Sequence, residues 1–350
     1  MKQIIASLLA TFGLTTACGQ ANYENADVKG FAELMNNPNV VVLDVRTAEE
    51  FGEGHLEGAV NIDQAQSDFI EKAKEMLTTD KTIAVYCRSG RRSASAAGRL
   101  AAEGYKAVNL KGGILAWKEA QMPVTTDTYE VDVFQTKSGK TVKFHALVHA
   151  SIRIEYDGKE IEIDPVTKLG NKTIDYSAMP KADYIFLTHE HGDHFDKEAI
   201  KLLTDDKTQL IANERCAEML GYGEIIVNGQ SSMFNNIRVE AVPAYNYSEG
   251  RTQFHPKGRD NGYVLTIDGL RIYIAGDTED IPEMQNIKDI DIAFMPCNQP
   301  YTMTTEQLVK AAKTVNPKVL FPYHYGQTDV RGIPSLLKDS GIDVRIRHYE

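Results

Sequence analysis

Apolar residues fall along this chain in short runs separated by polar turns. Val40-Val41-Val42-Leu43, Thr82-Ile83-Ala84-Val85-Tyr86 and Ala107-Val108-Asn109-Leu110 have the length of strands buried on both faces. Between the last two, Ser93 to Glu103 is alanine-rich and is followed by Gly104, which predicts a helix with a glycine stop. Strand, loop, helix and strand in that order predict an α/β unit with a parallel sheet flanked by helices. At Met122-Pro123-Val124-Thr125-Thr126-Asp127 the pattern breaks, and hairpins take over. Ile152, Ile154 and Tyr156 alternate into Asp157-Gly158, and Ile161-Glu162-Ile163 returns to Asp164. Further on, Tyr263, Leu265 and Ile267 alternate into Asp268-Gly269, and Arg271 to Ala275 returns to Gly276-Asp277. Aspartate-glycine between alternating segments is a strong hairpin signal. Two hairpins that each deliver an aspartate to a strand end predict a duplicated β sandwich, with Glu198–Leu203 and Thr305–Thr314 as helices on its outside.

Length and composition narrow the classes. At 350 residues the chain exceeds a usual single domain, so two are expected. Hydrophobic residues at 42% and charged ones at 25% are globular averages, which argues against a disordered, collagen-like or polytopic membrane chain. The formal charge, 38 − 49 = −11, leaves no footprint for duplex nucleic acid, and no such partner is expected. Cysteines 18, 87, 216 and 297 lack the paired spacing of a disulfide framework or a zinc ribbon. Behind Met1-Lys2, Ile4 to Leu14 is apolar or small, too short to span a bilayer and the right length for a signal-peptide core. Thr15-Thr16-Ala17-Cys18 then resembles a bacterial lipoprotein lipobox, with Thr15 where a leucine is usual. That resemblance implies a signal peptide over residues 1–17, lipidation of Cys18, a tether over 18–26, and an exported protein held on a membrane by its lipid; an ordinary cleaved signal peptide and a cytosolic start are the alternatives.

In the first unit, Cys87-Arg88-Ser89-Gly90-Arg91-Arg92-Ser93 lies between an apolar strand and a helix start. Backbone N–H groups at the helix N-terminus and three guanidinium groups form an anion nest there, which should favour a Cys87 thiolate and make it the chain's best nucleophile. The surrounding text resembles a rhodanese domain over residues 27–125. The resemblance is carried by Leu43-Asp44-Val45-Arg46 with Glu49-Glu50-Phe51, Gly54-His55-Leu56-Glu57-Gly58-Ala59-Val60-Asn61-Ile62, the Cys87 loop, and Leu110-Lys111-Gly112-Gly113 with Trp117. It implies a sulfurtransferase in which Cys87 takes sulfane sulfur from thiosulfate or a persulfide and passes it to a thiol, while Arg88, Ser89, Gly90, Arg91 and Arg92 hold the anionic donor. Asp44, Arg46 and His55 are architectural on the same reading. A cysteine-dependent phosphatase would need arginine six places after the cysteine, where this chain has Ser93.

In the second unit, the apolar Tyr184-Ile185-Phe186-Leu187 runs into Thr188-His189-Glu190-His191-Gly192-Asp193-His194. Histidines two apart do not share a helix face, so a loop must wrap these donors around a metal. Imidazole and carboxylate donors suit zinc, and also iron or manganese. The arrangement resembles the metallo-β-lactamase superfamily, an αββα sandwich here assigned to residues 129–350. The His189–His194 loop, Asp164, Ala275-Gly276-Asp277-Thr278 and Pro322-Tyr323-His324-Tyr325 carry that resemblance. Position by position it implies one or two metal ions. His189 and His191 hold the first, Asp193, His194 and His324 the second, Asp277 bridges them, and Asp164 supports from behind. Asp193 is the candidate proton-transfer group.

One position departs from the family. A histidine normally follows the strand occupied by Ile237–Val242, and this chain has Pro243-Ala244-Tyr245-Asn246-Tyr247 instead. His255 is the candidate substitute; water, Asn246 or a single-metal site are the alternatives. His149, in His149-Ala150-Ser151, reads either as pocket-lining or as a packed strand residue. His145 and His348 take no role. Cys216 and Cys297 read as buried thiols, Cys297 with a place beside the pocket.

Together the units imply a sulfurtransferase joined to a metal-dependent hydrolase acting on a small-molecule or amphiphilic substrate. The alternatives are an iron-dependent persulfide dioxygenase coupled to a sulfur carrier domain, and a binding protein with inert sites.

Overall fold

The computed structural model describes residues 23–126 and 129–349. The leader, Cys18 and most of the tether lie outside the described residues. The chain divides into two units at Pro123, with Met35–Pro38 and Gly52–Val60 grouped with the second. Gly54-His55-Leu56-Glu57, expected in the first unit, therefore belongs by position to the second. Among the described residues no helix is long and apolar enough to cross a membrane.

The first unit is a five-stranded sheet in the order Glu24–Ala26, Lys106–Leu110, Thr82–Tyr86, Val40–Asp44, Val60–Asn61. Its long strands pair in parallel. The apolar runs of the sequence are these strands, and Ile83, Ala84, Val85 and Leu43 are fully buried in them. The expected helix is Arg91–Ala102, beginning before Ser93 because Gly90 takes a left-handed φ of 84° and turns the chain into it. That helix packs on Thr82–Tyr86 and Lys106–Leu110.

The second unit contains two seven-stranded sheets. One runs Glu224–Ile225, Gln209–Ala212, Tyr184–Leu187, Lys159–Ile163, Ser151–Tyr156, Thr141–Val148, Glu130–Gln135. The other runs Ser231–Phe234, Ile237–Ala244, Asp260–Ile267, Leu270–Ile274, Ile292–Pro296, Val319–Tyr323, Asp343–Val344. Both Asp-Gly turns have positive φ at both residues, 52° and 73° at Asp157-Gly158, 47° and 76° at Asp268-Gly269, as the tight primed hairpin requires. The alternation then sorts side chains by face. Ile152, Ile154 and Tyr156 meet Tyr263, Leu265 and Ile267 in the core between the sheets. Ile185 and Leu187 face outward under Ala199, Ile200 and Leu203 of the helix Lys197–Leu203. On the opposite side Tyr273 and Ala293 lie under Leu308, Ala311 and Ala312 of the helix Thr305–Val315. The result is the expected helix, sheet, sheet, helix stack. Cys216 is a core thiol as expected. Cys297 is one too, packed with Met303 and Leu308, and its backbone N–H donates to His324 O at 3.4 Å.

Candidate functional site

In the first unit Cys87 follows the strand Thr82–Tyr86 and is buried. Two glycines let the backbone close around it. A Cβ on Gly113 would sit 2.3 Å from Cys87 O, and one on Gly90 would sit 2.9 Å from Gly112 N. Ile114 N–H donates to Cys87 O at 2.8 Å, and Leu115 N–H to Arg88 O at 3.1 Å. Lys111-Gly112-Gly113 thus serves as the floor of the cysteine loop. Ser93 Oγ lies 3.3 Å from Cys87 Sγ and donates to Asn109 Oδ1 at 2.6 Å. Arg88, Ser89 and Arg91 are exposed at the loop. Arg92 differs from the expectation. Its guanidinium donates to both oxygens of Glu50 at 2.6 Å, and this bond holds the Glu50 carboxyl down to about 2. Its charge is therefore shared with Glu50 rather than given wholly to the loop. Asp44 and Arg46 form a buried pair, the architectural role expected of them.

In the second unit every candidate donor stands at a strand end or in the loop behind one. His189 follows Tyr184–Leu187, and the segment turns sharply because His194 N–H and Phe195 N–H both donate to His191 O at 2.9 Å. Asp164 ends the strand Lys159–Ile163 and braces the turn. It accepts from Thr188 N–H at 2.8 Å and Thr188 Oγ1 at 2.6 Å, and lies 2.8 Å from His194 Nδ1. Asp277 follows Leu270–Ile274 beyond Gly276, where a Cβ would meet Asn261 O at 2.8 Å. His324 follows Val319–Tyr323, and its N–H donates to His149 O at 3.0 Å. His149, Asp164 and His324 all take left-handed backbone, φ 56°, 44° and 46°. Non-glycine residues rarely hold that conformation unless the surroundings enforce it, and here all three lie at the cluster.

The donors converge in groups whose atoms lie within 4.8 Å of one another: His189, His191 and His255; His189, His194 and Asp277; and His149, Asp193, His194 and His324. Asp277 stands between the groups. Its Oδ1 is 3.3 Å from His194 Nε2, and its Oδ2 is 3.2 Å from His255 Nε2 and 3.1 Å from His324 Nε2. His149 Nε2 is 3.2 Å from Asp193 Oδ2, and its ring lies 3.7 Å from that of His324. His255 therefore reaches the cluster, and His149 is part of it rather than a packed strand residue. Asn246 turns its Nδ2 to Tyr301 O at 2.6 Å.

Two residues of the site were not legible in the sequence. Asp260 backs His255 at 2.9 Å. Glu279, fully buried, accepts from Tyr247 N–H and Ser248 N–H and pairs with Arg251, holding the loop that leads to His255. Both stand next to polar text that lacks a recognisable spacing, so only their charge at the rim of apolar strands marked them.

The residues fit a cation. His194 Nε2, Asp277 Oδ1 and both ring nitrogens of His324 are buried without a well-aligned hydrogen bond, His194 Nε2 and His324 Nε2 facing Asp277 only at ion-pair distance, and a cation among them would supply the missing partner. Burial holds His189 well below the usual histidine range, leaving a neutral imidazole with a lone pair. Burial would raise Asp277, but His324 and His194 beside it overcome this and hold the carboxyl well below its ordinary value. Imidazoles around a shared carboxylate are the donor set that zinc, iron and manganese accept, a bound cation taking the place of the ring protons that Asp277 favours on His194 and His324.

The chain resembles known proteins in both units. The profile of the beta-lactamase superfamily domain matches residues 143–324, and that of the rhodanese-like domain matches residues 27–120. A UPF0173 metal-dependent hydrolase of Archaeoglobus fulgidus is 28% identical over 221 residues, covering 59% of this chain and 94% of that protein. One from Geobacillus thermodenitrificans is 31% identical over 195 residues, covering 53% and 84%. Among solved structures, a proposed metal-dependent hydrolase of Parabacteroides distasonis ATCC 8503 is 52% identical, covering 63% of this chain and 100% of that one, with a TM-score of 0.62. Igni18, a metallo hydrolase of Ignicoccus hospitalis, is 26% identical over 59% of this chain and 94% of its own, with a TM-score of 0.51.

Proposed function

The chain belongs to the beta-lactamase superfamily, and from that footing we propose that its second unit is a two-cation hydrolase and its rhodanese domain a sulfurtransferase. One observation carries the first half: two sets of donors meet at Asp277. His189, His191 and His255 would hold one ion, Asp193, His194 and His324 the other, with Asp277 shared. Divalent cations held by such donors polarise an acyl or phosphoryl oxygen and lower the pKa of water toward neutrality. Asp164 orients His194. Asp193, with 34% of its side chain exposed, opens toward solvent beside His149 and is the carboxylate that takes up and returns the proton.

The reaction class is addition of water across an ester, thioester, lactam or phosphodiester bond. Phe254 precedes His255 and packs edge-on to the exposed Tyr301, 5.1 Å between ring centres. An aromatic rim beside a polar centre fits a small or amphiphilic substrate. Convergence of two donor sets favours this reading over a single-iron persulfide dioxygenase.

In the first unit the Cys87 thiolate attacks the outer sulfur of thiosulfate. The S–S bond breaks, sulfite leaves with its electron pair, and Cys87 becomes a persulfide; an acceptor thiolate then attacks its outer sulfur, carries that sulfur away as its own persulfide, and releases the Cys87 thiolate. Arg88 and Arg91, exposed in the cysteine loop, would attract the incoming anion. We further read the protein as exported and lipid-anchored through Cys18, on the strength of the leader text alone.

Two assays test the pair. Hydrolysis of a panel of esters, thioesters, lactams and phosphodiesters should vanish with chelator, return with added divalent cation, and be lost in Asp193→Asn; chelator-insensitive hydrolysis contradicts the reading. Cys87→Ser should abolish sulfur transfer from thiosulfate to cyanide, and wild-type rates in that variant would remove the sulfurtransferase.

A further inference from the structure

We propose that Asp260, clamped by Arg259, is the positioning residue that makes His255 the third donor of the first cation set; the inference rests on the two-cation reading above. The strand that should deliver a histidine, Ile237–Ala244, ends without one. The chain then leaves the sheet and rejoins it at Asp260, the first residue of Asp260–Ile267, and His255 comes from that excursion. A ligand borne on a loop binds well only if its ring is held in advance, because ordering it on binding costs conformational entropy.

The holding is visible. Asn246 N–H donates to His255 O at 2.8 Å, tying the two ends of the excursion together. His255 Nδ1 lies 2.9 Å from Asp260 Oδ2, with both residues buried. A carboxylate facing Nδ1 keeps the proton there and leaves the Nε2 lone pair free, and Nε2 is the atom 3.2 Å from Asp277 Oδ2. His194 is built the same way, with Nδ1 2.8 Å from Asp164 Oδ2 and Nε2 3.3 Å from Asp277 Oδ1. Each oxygen of Asp277 thus faces an imidazole backed by its own aspartate.

Asp260 is fixed in turn. Arg259 donates from Nε to Oδ1 at 2.6 Å and from Nη2 to Oδ2 at 3.0 Å, and Nη2 also reaches Phe254 O at 2.7 Å. Its Nη1 is 3.4 Å from Glu190 Oε1, which Arg215 Nε meets at 2.8 Å. Glu190 sits between His189 and His191. One ion network therefore joins the loop carrying His255 to the segment carrying the other two donors. A purely structural salt bridge would not need a carboxylate oxygen on the ring nitrogen opposite the cluster.

Asp260→Asn tests this with little change in volume. Its amide N–H facing Nδ1 favours the proton on Nε2 and removes the lone pair. Cation stoichiometry and affinity are read by chelator competition and elemental analysis, and the His255 tautomer by long-range nitrogen–proton NMR. Wild type should bind two zinc ions. Asp260→Asn should retain one and bind the other roughly 10–100-fold more weakly, with His255 changing tautomer and Asp260→Glu recovering part of the loss. Arg259→Gln, which leaves Asp260 in place, should weaken the same ion less, and decides the matter if Asp260→Asn does not fold. Two ions at wild-type affinity with an unchanged tautomer in these variants would overturn the proposal and leave the two-cation reading standing. A wild type that binds one ion regardless of His255→Ala would overturn both.

Discussion

At Gly113 the backbone holds φ at 58°, and any side chain would strike Cys87 O. Gly113→Ala therefore strains a left-handed residue and pushes the cysteine loop off its floor. We expect it to destabilise the first unit by about 1–3 kcal/mol and to lower sulfur transfer. Trp117, the chain's single tryptophan, is buried in this unit, so its fluorescence follows this unfolding alone; a wild-type transition would show that the close approach is not needed. Residue by residue, most of the side chains that the structure brings together at the cluster were readable from the sequence. The His189–His194 cluster, Asp277 and His324 are dense polar groups at the ends of apolar runs, and no core tolerates them without partners. His255 was readable only as a substitute for a missing histidine, because its approach depends on how residues 245–259 fold back. Asp260 and the Glu50–Arg92 pair were not readable, since each is defined by a partner's side-chain direction rather than by spacing.

Among the elements, strands and hairpins followed from periodicity, and both Asp-Gly turns lie where alternation put them. Helix starts were less legible, as the early onset at Arg91 shows, because a left-handed Gly90 sets it rather than a polar cap. The Glu50–Arg92 pair links the short helix Ala48–Gly52 to the start of Arg91–Ala102. The hydrogen bond from Arg92 depresses Glu50 from 4.5 to about 2 in the folded state. An unfolded chain then binds more protons than the folded one between those values, so stability falls as pH falls through that window. The pair's contribution is present above about 4.5 and gone near 2. Acid titration followed by Trp117 fluorescence should show wild type losing stability more steeply than Glu50→Gln across this range. Parallel curves would mean that solvent screens the pair.

At the scale of the whole molecule, a rhodanese-like domain and a beta-lactamase superfamily domain share one chain, and its acidic balance of −11 suits neither nucleic acid nor an anionic surface. Membrane attachment on this account depends on lipid at Cys18. Cys18→Ala should leave the protein in the soluble fraction after cell breakage, and persistent membrane association would rule out that anchor. The αββα stack was legible because duplicated hairpins and outer helices leave few other ways to bury both sheet faces. What joins Asp277 to every donor set was not, since it depends on strand ends brought together from distant parts of the chain. The direct test of that centre is the cation content of protein purified anaerobically without added metal, measured by elemental analysis beside His191→Ala. About two zinc or manganese ions per chain are expected, with a clear loss in the variant. A single iron, or full metal content in His191→Ala, would contradict this.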